Sequence, residues 1–139
     1  MDYKLYRNKN ELNGTCYFEF LPGKYKNKCW NDNSIFLSED SVYLFEDLLK
    51  KVNNKYDHYA FIGYNKNQIS LLINELSKRL YEIEKNNNYE FTGMFFKKEY
   101  YSELNENIRR NKNEIIILLK DLIDWLKTIN ISEITILGI

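Results

Sequence analysis

The chain has 139 residues and a mass of 16.9 kDa, and its 20 basic and 20 acidic side chains give a formal net charge of zero. Hydrophobic residues make up 44% of the sequence and aromatic residues 16%, which excludes a wholly disordered chain and predicts one domain over residues 1–139. The balanced charge argues against a dedicated nucleic-acid or membrane-surface binder, because such proteins usually carry a basic excess.

The first third of the chain predicts short strands and a turn. The aromatic-rich run 15–20, TCYFEF, suits a strand. Pro22 and Gly23 then favour a turn, because proline fixes φ and glycine tolerates positive φ. The polar residues 25–33 either return as a second short strand or form a loop, and an apolar run follows at 34–37.

Residues 39–52 are predicted to form the first helix. Ser38 is a typical N-cap, and Glu39 and Asp40 suit the first turn because carboxylates interact favourably with the helix dipole there. The apolar residues at helical spacing, which we expect to be buried, are Val42, Phe45, Leu48, Leu49 and Val52.

The rest of the chain predicts two long helices and two or three strands. A short strand is expected at 59–62, and Asn65 caps a helix over 66–85. Residues 89–98 are either a strand or an aromatic loop. Helical periodicity then extends from about residue 100 to 129. A polar interruption at 109–113 means that this segment is either one helix or two.

The order of these elements favours an α+β fold with one mixed β-sheet packed by about three helices, near 39–52, 66–85 and 113–129. The sheet is expected to contain 15–20 and 134–138. A fully parallel, doubly wound sheet is disfavoured because the strands are short and the turn at Pro22 and Gly23 resembles that of a hairpin.

No apolar run approaches the roughly 18 residues that a membrane span needs. The first twelve residues also lack the apolar core of a signal peptide. We therefore expect a cytoplasmic protein without membrane contact.

Catalytic and metal-binding motifs are missing from the sequence. Cys16, Cys29 and His58 form no CxxC or HxxxH pair from which a zinc site could be built. The glycines occur singly, so no phosphate-binding loop can be written. We expect free thiols, a histidine at a strand end, and neither metal nor cofactor.

A local excess of negative charge is the clearest surface feature. No lysine or arginine occurs between Cys29 and Leu49, whereas five carboxylates do. Four of them recur around Tyr43 at helical spacing, which predicts one acidic helix face. Such a face is either simply solvated or covered by a basic partner, with Trp30 as an interface anchor or a core residue. The candidate partner-binding residues are Trp30, Asp32, Glu39, Asp40, Tyr43, Glu46 and Asp47.

The segment from Trp30 to Leu49, WNDNSIFLSEDSVYLFEDLL, followed by YDHY at 56–59, resembles small bacterial immunity proteins of polymorphic toxin systems, including contact-dependent growth inhibition. The resemblance implies a non-enzymatic protein that binds the toxin domain of its own system and blocks the active cleft. Many such toxins are nucleases with basic clefts, so the acidic face around Tyr43 would be the matching surface.

Two other classes of function remain open at this stage. One is a scaffold or regulatory module that binds an unrelated protein. The other is a small enzyme, for which Cys16, Cys29 and His58 would have to converge near a pocket.

Overall fold

Five strands form one antiparallel sheet in the computed structural model, which describes residues 2–91, 98–129 and 132–139. The strands are β1 (Leu5–Tyr6), β2 (Tyr17–Pro22), β3 (Ile35–Ser38), β4 (Phe61–Asn65) and β5 (Glu133–Leu137). Their spatial order is β1-β3-β2-β5-β4, and each of the four pairings is antiparallel. The prediction that the last strand joins the sheet of 15–20 is confirmed, because β5 pairs directly with β2.

In the described part of the chain, five α-helices and a 3-10 turn accompany the sheet. They are the 3-10 turn Lys9–Glu11 and the helices α1 (Glu39–Tyr43), α2 (Glu46–Val52), α3 (Lys66–Lys85), α4 (Lys98–Arg110) and α5 (Lys112–Thr128). The predicted α+β class, with helices packed on one sheet, is confirmed. The sheet is not mixed within the described residues, since β5 runs opposite to both of its neighbours.

The helix predicted over 39–52 is broken at Leu44 and Phe45. Phe45 has φ −143° and ψ 13°, which is not helical. In an unbroken helix Leu44 would lie about 200° around the axis from Val42 and would face away from the core. The break allows Val42, Leu44 and Phe45 all to be buried, and it also turns Glu46 inward. Burial of Leu44 thus explains why helical periodicity fails here.

The long helices match the sequence pattern more closely. Asn65 and Gln68 form a capping box that starts α3, because each side chain accepts from the other's backbone N–H. The polar interruption ends α4 and α5 begins after Asn111. Helix α5 is the central helix, because it packs against α3 and α4, and its Leu119 and Leu122 are fully buried.

Other predictions shift or fail at the strands. The sequence shows no signal for β1, which is two residues long. The strand expected at 59–62 begins at Phe61, and residues 25–33 form a loop. The segment 89–98, predicted to be a strand or aromatic loop, lies largely outside the described residues.

The loop 23–34 covers part of the sheet face opposite the helices. The ring of Trp30, a residue of this loop, stacks on the ring of Phe36, and the two ring centroids are 5.6 Å apart. Both oxygens of the buried Glu19 carboxylate hold this loop, accepting from the backbone N–H groups of Trp30 (2.5 Å) and Asn31 (3.0 Å). They also accept from the Asn31 amide (2.8 Å) and the Ser34 hydroxyl (2.6 Å). Glu19 is therefore a structural anchor for the loop.

Helices of the described chain are too short or too polar to cross a bilayer.

Candidate functional site

A cleft of about 460 Å³ opens between the α1–α2 pair, the 58–59 segment and α4. Its lining is dominated by tyrosines and carboxylates. These residues are Tyr3, Tyr43, Tyr59 and Tyr100, together with Asp40, Glu46 and Glu103, and they are joined by His58, Leu104 and Asn107. Among the residues that the structure describes, no lysine or arginine belongs to this lining, and the charged groups there are acidic apart from the histidine.

Glu46 carries the most unusual hydrogen bonding in the cleft. The residue is fully buried, with a relative exposure of 0%. Its Oε1 accepts from the Tyr56 hydroxyl at 2.8 Å and lies 2.5 Å from His58 Nδ1. Its Oε2 is buried and has no hydrogen-bond partner among the described residues. Buried carboxylate oxygens are rarely left without a donor, so this atom has unused capacity to accept.

His58 is held by aromatic rings as well as by Glu46. Its ring stacks on Tyr43 at 5.8 Å and meets the edge of Phe18 at 5.0 Å. On the other side, Nε2 lies 3.6 Å from Glu39 Oε1. The Tyr59 ring lies 4.8 Å from the imidazole ring, so the imidazole is fixed between two glutamates and three aromatic rings.

A glycine at the end of β5 allows the backbone before β4 to approach closely enough to bring His58 to the cleft. A Cβ atom at Gly138 would lie 2.3 Å from the His58 carbonyl oxygen and 2.9 Å from that of Ala60. The Gly138 N–H donates to the same Ala60 oxygen at 3.1 Å. A larger residue at 138 would push the 58–60 segment away from the sheet.

Two tyrosine hydroxyls of the cleft, those of Tyr3 and Tyr43, have a raised pKa and stay protonated at neutral pH. Burial and the nearby charge of Asp40 raise the pKa of Tyr3 to about 12. Burial, a hydrogen bond donated to Glu39 and the Glu39 charge raise the pKa of Tyr43 well above its usual value. Neutral rings next to carboxylates give the cleft both aromatic faces and negative charge.

Four of the seven predicted binding residues come together here. Asp40, Tyr43 and Glu46 line the cleft, and Glu39 joins them through the Tyr43 hydroxyl and His58. The expected shared, exposed helix face does not exist, because the break at Leu44 and Phe45 turns Glu46 into the core.

Asp47 serves the fold instead. Its two oxygens accept from Arg79 of α3 at 2.5 and 2.8 Å, and Arg79 also donates to the Leu44 carbonyl at 3.0 Å. This bidentate, half-buried pair fixes α2 on α3.

Trp30 and Asp32 lie elsewhere. Trp30 stacks on Phe36 under the loop 23–34, and the exposed Asp32 carboxylate pairs with Lys9 at 2.9 Å. Neither residue belongs to the lining of the cleft.

Sequence reasoning did not single out the lining residues Tyr3, Tyr59, Tyr100 and Glu103, nor Tyr56, which donates to Glu46. Tyr3, Tyr100 and Glu103 reach the cleft from segments distant in the sequence, which no local pattern reveals. The one available signal was the YDHY run at 56–59, where His58 is flanked by two tyrosines.

The thiols and possible metal ligands do not extend the site. Cys16 and Cys29 are free and exposed, and neither lines the cleft with His58. Cys16 lies just before β2, which begins at Tyr17 and not at residue 15 as predicted. Among the described residues, no group of three or more His, Cys, Asp or Glu side chains is arranged to hold a metal ion.

Comparison with known proteins returned no match to any protein-family model, curated protein or solved structure. The cleft and its residues are therefore the basis for assigning a function.

Proposed function

We propose that this chain is a cytoplasmic inhibitor that binds a basic protein and covers its active cleft, in the manner of a small bacterial immunity protein. The observation that carries the proposal is the acidic cleft, in which a fully buried glutamate keeps one oxygen without a partner among the described residues. The partner is the toxin domain of the same polymorphic toxin system.

Electrostatics support a cationic partner. Asp40, Glu46 and Glu103 share one cleft, and like charges in a partly desolvated site repel one another. A basic surface brought against them would relieve this repulsion and would also steer the encounter.

The tyrosines support binding to a protein. Tyr59 is 77% exposed and Tyr100 is 57% exposed, at the mouth of the cleft. Tyrosine provides a large amphipathic contact area with few rotatable bonds, which is why it is frequent in binding hot spots.

The test is surface plasmon resonance against the toxin domain encoded beside this chain, with Asp40→Lys as the cleft variant. Asp124→Lys is the matched control, because it makes the same charge change on an exposed position of α5, outside the cleft. We expect Asp40→Lys to slow association about tenfold or more and the control to stay within about twofold. Association of the native chain should also slow as salt is raised.

The proposal would be refuted by the absence of any complex, or by equal effects of the two variants. Protection of cells that express the toxin is the second readout and should be lost with Asp40→Lys alone. Circular dichroism of both variants establishes that the fold is retained.

One observation favours a second candidate, an enzyme using acid–base chemistry. His58 Nδ1 lies 2.5 Å from Glu46 Oε1 in the cleft, and a carboxylate behind an imidazole is a common catalytic arrangement. His58→Gln separates the two functions. A catalytic histidine would lose cell protection while the complex still forms, whereas a residue of a binding cleft would affect both together.

A further inference from the structure

The cleft has the parts of a receptor for one organic cation. Its base is the Glu46 carboxylate, whose Oε1 is engaged by Tyr56 and His58 and whose Oε2 is buried without a partner among the described residues. An oxygen in this position accepts strongly from a charged donor, because water competes little for it.

Aromatic rings and two further charges surround this base. Tyr3, Tyr43 and Tyr100 contribute ring surface, and a cation near the face of such a ring is attracted by its quadrupole. Asp40 and Glu103 also line the cleft and extend the negative potential outward from Glu46. An anionic or neutral ligand would leave these three carboxylates without compensation.

We infer that the cleft receives the guanidinium group of an arginine side chain from the partner protein, which donates to Glu46 Oε2 between the tyrosine rings. The inference rests on the proposed function, since the arginine belongs to the partner. It goes further by naming the group that is recognised and the atom that recognises it.

Guanidinium fits this lining better than ammonium. It is planar and can stack on a tyrosine ring while its edge donates to carboxylates, and it is less strongly hydrated than the lysine head group. Entry into a partly enclosed cleft therefore costs less desolvation for arginine. The cleft's 460 Å³ also lies within the range of 300–1,000 Å³, approximately, that is usual for ligand pockets.

The first experiment needs no partner. N-acetyl-arginine methylamide is titrated into the isolated chain and binding is followed by NMR shifts of His58 and the cleft tyrosines. The citrulline compound, which has nearly the same shape without the charge, and the lysine compound are titrated in parallel. We expect arginine to bind about tenfold or more tightly than citrulline and severalfold more tightly than lysine.

Glu46→Gln then tests the named atom, with Glu114→Gln on the exposed side of α5 as its control. We expect arginine binding to fall about tenfold or more in Glu46→Gln and to remain unchanged in the control. Equal binding of arginine and citrulline in the native chain would overturn the inference even if Glu46→Gln did not fold. An unchanged affinity in a folded Glu46→Gln variant would overturn it as well.

Spermidine, added to the same titration, distinguishes a side chain from a free polyamine. Binding of spermidine more tightly than the arginine compound would overturn the assignment to a partner's arginine.

Failure of this inference and failure of the proposed function give different results. If the toxin domain binds the native chain and Glu46→Gln equally well, the inference fails and the inhibitor proposal stands. If the arginine compound binds in the cleft but the toxin domain forms no complex, the inhibitor proposal fails.

Discussion

Two buried glutamates on opposite faces of the sheet differ in how completely their charge is compensated. Glu19, 4% exposed, accepts from Trp30, Asn31 and Ser34 with its two oxygens. Glu46, fully buried, has both of its contacts on Oε1 and none on Oε2 among the described residues. Burial alone therefore does not indicate whether both oxygens of a carboxylate accept hydrogen bonds within the chain.

The difference lies in the surroundings of each carboxylate. Glu19 is enclosed by a loop whose backbone it organises, so its charge is fully used within the chain. Glu46 borders an open cleft with other carboxylates, and we propose that a cationic group entering this cleft compensates its charge. A buried carboxylate costs several kcal/mol unless its oxygens find partners, and of these two glutamates only Glu19 has hydrogen-bond donors to both oxygens.

The largest change in the free energy of unfolding is expected in the core, and the changes at the two glutamates are compared with it. Leu119→Ala in the centre of α5 should lower the free energy of unfolding by about 2–5 kcal/mol, because it opens a cavity in a fully buried position. Urea denaturation measures the change. Ile117→Ala on the same helix is the control, since Ile117 is 60% exposed, and a similar loss there would contradict the assignment of α5 as the central helix.

The second largest effect is expected for Glu19→Ala, which should lower the free energy of unfolding by about 3 kcal/mol. The hydrogen-bond donors of Trp30, Asn31 and Ser34 lose their shared acceptor in this variant. The same urea denaturation, with tryptophan fluorescence reporting on Trp30 and Trp125, gives the value. Glu114→Ala, an exposed glutamate, should stay within about 0.5 kcal/mol. A loss below about 1 kcal/mol for Glu19→Ala would mean that the loop 23–34 does not depend on this carboxylate.

Local sequence patterns predicted much of the architecture but little of the difference in hydrogen bonding between Glu19 and Glu46. A capping residue and apolar periodicity located α3, and apolar periodicity alone located α5, because each helix has a regular apolar stripe. The same periodicity misplaced Glu46, because tertiary packing of Leu44 and Phe45 breaks the helix between α1 and α2. Hydrogen-bond partners of a buried carboxylate come from distant segments, such as Tyr56 for Glu46 and Ser34 for Glu19, and spacing does not show them.

The site itself was predicted only in part for the same reason. Glu39, Asp40 and Tyr43 were found because their acidic context is local in sequence. Tyr3 and Tyr100, which complete the cleft, are separated from them by 36 residues on one side and 57 on the other. Such residues meet only when the helices pack on the sheet.

Alkaline pH should affect the two glutamates differently. Tyr56, which donates to Glu46, can lose its proton at alkaline pH, whereas the backbone, amide and serine donors to Glu19 cannot. Burial and the charge of Glu46 raise the pKa of Tyr56 far above its usual value of about 10. A raised folded-state pKa means that the stabilisation is fully present below about pH 10, where both states are protonated, and is lost as pH rises beyond it.

Tyr56→Phe should therefore lower the free energy of unfolding by about 1–2 kcal/mol at neutral pH. The difference in this free energy between the variant and the native chain should become smaller above about pH 10. Urea denaturation at neutral and at alkaline pH measures both values. Tyr81→Phe, at a 64% exposed position, is the control and should show little change at either pH. A difference that stays constant into strong alkali would contradict the coupling of Tyr56 to the Glu46 charge.

The smallest effect on stability is expected at Glu46 itself. In Glu46→Gln, the amide oxygen can keep the contacts with Tyr56 and His58, and the amide NH₂ takes the place of the unpartnered oxygen without a buried charge. The free energy of unfolding should change by less than about 1 kcal/mol, and in either direction. Glu19→Gln should instead cost about 2 kcal/mol, because its NH₂ would face donors at positions where both oxygens now accept. Urea denaturation of the two variants side by side makes the test. Equal losses would show that Glu46 is as much a part of the folded framework as Glu19, whereas a large loss confined to Glu19→Gln would leave the Glu46 charge to be explained by what binds in the cleft.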